Sequence, residues 1–115
     1  MKSLRPAGDA RAAVAAHPER PATAIVHDSA EARLVVFRLA PGQEVRPHRS
    51  TSTVMLTVLE GSGVLSGESG GTPVERRCAV GDVVVYDPNE LHGMRTGGPG
   101  GLLLLATITP RPGGR

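Results

Sequence analysis

Four histidines (His17, His27, His48 and His92) and one cysteine, Cys78, are the side chains of this chain best suited to bind a metal or move a proton near neutrality. Their spacing supports no Ser-His-Asp or Cys-His arrangement, so nucleophilic catalysis has no foothold. A neutral imidazole can serve as a ligand for a first-row metal or as a directed hydrogen-bond partner. Met94 follows His92 by two residues, and in a strand the two side chains share a face. Its thioether would favour soft ions such as Cu(I) over hard divalent ions. Cys78 stands three positions before Gly81, where a strand should bury an apolar residue, and reads as an inert buried thiol. His17, beside Pro18, reads as exposed, Glu44 as a solvated loop carboxylate, and Asp87, ahead of Pro88, as the cap of a turn.

The elements that must position these groups are almost all strands. Residues 9–17 form the one helical pattern, with Asp9 as N-cap and Pro18 as the stop. Thereafter short apolar or β-branched runs alternate with Gly and Pro turns. They cover residues 23–27, 33–39, 53–59, a run opening at Val64 and Leu65, then 74–80, 83–86, 92–96 and 102–108. Glu60-Gly61-Ser62-Gly63 reads as the end of the 53–59 strand, and residues 67–71 as a hairpin tip. This punctuation predicts an all-β sandwich or closed barrel. The expected organisation is an N-terminal extension over 1–21, a barrel over 22–109 and a frayed Pro/Gly-rich tail over 110–115.

Composition narrows the partners. The chain has 115 residues, enough for one domain with a modest core. Phe37 and Tyr86 are its only aromatic residues, so stacking platforms for single-stranded nucleic acid are missing. The net charge is +2 with no basic run, and no helix-turn-helix pattern exists, so nucleic acid is not an expected partner. The longest apolar run, residues 102–106, is far below the ~20 residues a bilayer span requires. A lone cysteine and an N-terminus unlike a signal peptide point to a cytoplasmic protein. Val54, Met55, Leu56, Val58 and Leu59 make one strand apolar on both faces, and residues 102–105 do the same. Something must cover the second face. A partner subunit predicts a homodimer, and the N-terminal segment is the alternative cover.

Two segments carry a resemblance to a known family. Gly42 through His48, Ser50 and Val54 to Gly61 resembles the first cupin motif, G-x5-H-x-H-x3-E-x6-G, with its spacing intact. Gly81 through Asp87, Asn89 and His92 to Thr96 resembles the second, G-x5-P-x-G-x2-H-x3-N. The resemblance implies a cupin-type double-stranded β-helix, a jelly-roll barrel, to which the pattern over residues 9–17 adds a short N-terminal helix. It also implies that His48 and His92 face each other in the barrel mouth. In metal-binding cupins the ligands are both histidines and the glutamate of the first motif and the histidine of the second. Here Ser50 replaces one histidine and Val54 the glutamate, while Asp87 and Thr96 replace the proline and the final asparagine. Asn89 replaces a glycine, and asparagine tolerates the left-handed conformation best after glycine.

The degenerate motif leaves two functional expectations. In the preferred one the barrel mouth binds a small molecule. Val54, Leu56, Val58 and Met94 form apolar walls, Ser50, His48 and His92 give directed polar contacts, and Tyr86 either lines the pocket or packs behind it. In the alternative, His48 and His92 hold one divalent transition metal for an oxygenase, isomerase or lyase, with Ser50 orienting the substrate. His27 could join them as a third ligand, although a surface position suits it better. The substrate is not readable from these residues.

Overall fold

The computed structural model describes residues 1–112. It contains one helix, α1 (Pro6–Ala12), and eight strands: β1 (Ala22–Asp28), β2 (Arg33–Leu39), β3 (Glu44–His48), β4 (Thr53–Ser69), β5 (Thr72–Ala79), β6 (Val83–Tyr86), β7 (His92–Thr96) and β8 (Leu102–Thr109). All pairings are antiparallel, and the sheet runs β1-β2-β8-β4-β7-β3, with β5 and β6 also hydrogen-bonded to β4.

The predicted strand end at residues 60–63 is instead the bend that closes the barrel. Gly61 takes φ 78°, and a Cβ there would overlap the carbonyl oxygen of Gly101. The strand therefore turns its direction without stopping. Its first half pairs with β6 and β8, and its second half with β5 and β7. Strand β3, read as a loop from sequence, forms because β7 supplies its hydrogen bonds.

Between the two halves of the curled sheet lies the core. Leu39, Leu56, Leu65, Leu102, Leu104 and Val58 are completely buried there, each stabilising the fold by roughly 1.5–3 kcal/mol relative to exposure. With so few aromatic residues, aliphatic side chains fill this space almost alone. Cys78 is part of the same cluster, and burial pushes its thiol pKa up, as expected of an inert cysteine.

The helix starts earlier than predicted. Pro6 occupies its first turn, where a missing N–H costs nothing, and Asp9 lies inside the helix with its N–H bonded to the Arg5 carbonyl. Ala13 already has extended geometry, which ends the helix before His17. Ala10 is fully buried against Val36 and Leu103 on the outer face of the sheet. The guanidinium of Arg38 anchors the helix end by donating to the carbonyls of Ala10, Arg11 and Ala13 at 3.2, 2.7 and 2.7 Å. The N-terminal segment thus covers part of the second apolar face, while Val83 and Val85 remain exposed.

At the other end of the chain, the part of the predicted frayed tail that is described is packed. The Pro110 carbonyl accepts a 2.6 Å hydrogen bond from buried Ser52, and the Arg111 N–H donates to the Ala30 carbonyl. Residues 113–115 lie outside the described residues. Among the described residues no helix is long and apolar enough to cross a membrane.

Candidate functional site

One mouth of the barrel opens into a cavity of about 460 Å³. Strand register brings the two predicted histidines to its rim, because His48 at the end of β3 pairs directly with His92 at the start of β7. Gly93 makes this close approach possible: a Cβ there would sit 2.9 Å from the backbone nitrogen of Pro47. The imidazole centroids are 4.2 Å apart with the rings tilted by 60°. His48 is exposed at the rim, whereas His92 is 4% exposed.

Both rings are oriented by backbone. His48 Nδ1 lies 3.0 Å from the Arg46 carbonyl oxygen, and His92 Nδ1 lies 3.3 Å from that of Glu90. A carbonyl oxygen only accepts, so these contacts favour the tautomer in which Nδ1 carries the proton and donates it, leaving Nε2 with a lone pair. Neither Nε2 has a protein hydrogen-bond partner among the described residues. Burial lowers the pKa of His92 below its ordinary value and keeps it neutral; the neighbouring His48 adds to the shift, against the opposing effect of the Glu90 carbonyl.

A clamp beside the histidines holds the two rim loops together. Arg49 donates from Nη1 and Nη2 to the two carboxylate oxygens of Glu68, and from Nη1 to the Asn89 carbonyl at 2.8 Å. Glu68 also accepts the Leu91 N–H at 3.2 Å, and these contacts, Arg49 foremost, lower its pKa. Asn89 adopts φ 68°, and its N–H donates to the Ser50 carbonyl at 2.6 Å. The asparagine therefore performs the left-handed turn expected of it. The nearby turn is capped by Glu90, whose carboxylate accepts the Asp87 N–H at 2.9 Å; this corrects the assignment of the cap to Asp87. Thr96, at the position of the family's asparagine, accepts the Gly42 N–H at 2.9 Å and ties the first motif to the second.

The predicted pocket residues mostly converge. Val54, Leu56 and Met94 wall the cavity, and Ser50 joins the histidines at its polar end. The Ser50 oxygen accepts the Ser52 N–H at 3.1 Å, which leaves its own hydroxyl hydrogen free to donate. Tyr86 does not line the cavity. It is 3% exposed, its hydroxyl donates to the Ser66 carbonyl at 2.8 Å, and its ring stacks 5.2 Å behind His92. Burial pushes its pKa up to about 12. Val58 lies in the core. His27 is not among the cavity residues and instead lies 3.3 Å from the Lys2 amine.

Sequence reasoning missed Phe37, Ala106 and Ile108, which complete the apolar wall, and Arg49 and Thr51 at the rim. Alternation along β8 would have selected Ala106 and Ile108, but the continuous apolar run before them hides which face points inward.

The donor set does not fit the metal centre implied by the first-motif resemblance. Two imidazoles and the Met94 thioether lie at the cavity, no carboxylate lines it, and no cluster of three or more His, Cys, Asp or Glu exists among the described residues.

A curled antiparallel sheet with an apolar mouth and a histidine pair at its rim defines a small β-barrel with one open end. Residues 35–108 match the family model of the cupin domain, and the chain belongs to that family. None of the curated proteins compared with the chain matches it. Solved structures do. An RmlC-like cupin protein from Desulfovibrio desulfuricans is 28% identical, with TM-score 0.77 over 96% of this chain and 97% of that one. The protein TT1209 from Thermus thermophilus is 28% identical, with TM-score 0.75 over 89% and 94%. An uncharacterised protein with a double-stranded β-helix domain from Klebsiella pneumoniae shares the fold at 22% identity and TM-score 0.76, over 88% and 86%.

Proposed function

We propose that this cupin binds a small organic molecule in the barrel mouth. The observation that carries the reading is the cavity itself. Its volume of about 460 Å³ lies within the range of small-molecule sites, roughly 300–1,000 Å³, and its apolar walls end in a few convergent polar groups. The backbone-held imidazoles and the Arg49–Glu68 clamp support a preorganised site, in which little ordering remains to be done when a ligand arrives.

The metal-dependent alternative has one observation in its favour. Two imidazoles line a common cavity, with each Nδ1 against a backbone carbonyl, as is usual for metal-ligating histidines. Against it stands the short donor set, with Ser50 and Val54 in place of the family's ligands.

Elemental analysis combined with native mass spectrometry of untagged protein separates the two. The binding reading expects a co-purified organic adduct that is lost on denaturation, with no stoichiometric metal. Near-stoichiometric metal that disappears in the His48→Ala, His92→Ala double variant would instead establish the metal reading.

A further inference from the structure

The chemistry at the polar end of the cavity restricts what can sit there. This restriction rests on the small-molecule-binding reading above. Because both Nδ1 atoms donate to backbone carbonyls, the histidine pair offers acceptors, not donors, to a ligand. Ser50 offers the opposite, a hydroxyl hydrogen, since its oxygen is already engaged by the Ser52 N–H.

Charge is poorly matched in either sense. An anionic head would meet two Nε2 lone pairs, and the one guanidinium on the cavity wall, Arg49, already has its charge paired by the Glu68 carboxylate, with three of its five N–H donors committed to Glu68 and the Asn89 carbonyl. A cationic head would find no carboxylate on the wall, and burying it unpaired among Val54, Leu56 and Met94 would cost several kcal/mol. A neutral hydroxyl suits both partners, because it donates through its hydrogen and accepts through its oxygen.

We infer that the cavity takes a neutral ligand with an apolar body and a hydroxyl head. The hydroxyl donates to an Nε2 of the His48–His92 pair and accepts from Ser50, while the body lies against Phe37, Leu56 and Met94.

The test uses full-length, metal-free, nitrogen-15-labelled protein and three probes of one shape: para-ethylphenol, para-ethylanisole and para-ethylbenzoate. Long-range proton–nitrogen spectra report the tautomers, and titrations report affinity. The expected result is unprotonated Nε2 atoms in the free protein and phenol binding about tenfold tighter than either analogue, the worth of one net hydrogen bond. The Nε2 resonances should move on phenol addition. Nε2-protonated tautomers in the free protein overturn the inference, as does equal or tighter binding of the anisole. If the benzoate binds best, the binding reading stands and only the hydroxyl head falls. If none of the three binds and no organic adduct co-purifies, both fall together.

Discussion

The two ends of the barrel are built from the same strands and differ in what those strands put inside. Along β8 the inward positions run Leu102, Leu104, Ala106 and Ile108. At the closed end Leu104 pairs with Val58 of β4, and Leu65 packs in the same cluster, so buried aliphatic side chains fill the interior there. Toward the mouth the next inward residue is only Ala106, opposite Leu56, and the facing strands contribute His48, His92 and Met94. One step down in side-chain volume on β8, coupled to imidazoles on β3 and β7, turns a packed core into a cavity. The closed end holds the fold together, and the mouth is left open.

That contrast can be broken at three points. The largest effect is expected at the closed end: Leu104→Ala should destabilise the protein by about 2–5 kcal/mol, because rigid neighbours leave a void behind. Val54→Ala at the mouth should lose less than half as much, since the cavity is already open there. Urea denaturation of both variants checks this, and equal losses would mean that the two ends are packed alike. A middle-sized effect is expected from Ala106→Leu, which extends the closed end into the mouth. Stability should change by no more than about 1–3 kcal/mol, while the affinity for any ligand identified in the mouth drops at least tenfold in a titration. Retained affinity would place the ligand elsewhere.

The smallest effect concerns pH. Burial holds the His92 pKa below its ordinary value of about 6.5, so the unfolded chain takes up that proton first. The contribution of His92 to stability is therefore fully present above about pH 6.5 and declines as the pH falls from there toward the lowered value. Melting temperatures should fall through that window in the wild type and fall less in His92→Gln. Identical slopes would show that the mouth histidine is as freely solvated as one on the surface.

Much of this architecture was legible in the residues. The turns at Gly42, Gly81 and Asn89 and the strands over 33–39, 83–86 and 92–96 appear where Gly, Pro and β-branched runs predict them, because local backbone preference and tertiary structure agree there. Where they compete, local reading loses. Gly61 looks like a stop but is a bend, since its positive φ is used inside a continuous ladder. Residues 44–48 contain Pro47 and look like a loop, yet they form a strand on the sheet edge, where a missing N–H is tolerated.

The candidate site divides in the same way. The resemblance of the two motifs to those of cupins implied that His48, His92, Ser50, Val54, Leu56 and Met94 belong to one constellation, and the residues themselves showed that it lacks the family's glutamate and second histidine. Tertiary structure alone decided that Tyr86 sits behind His92 with its hydroxyl satisfied, that Arg49 is paired with Glu68, and that Ala106 opens the cavity. The reason is physical. A motif records distances along the chain, whereas a pocket depends on which face of each strand turns inward, and in β8 and β4 both faces are apolar until the curl of the sheet chooses one.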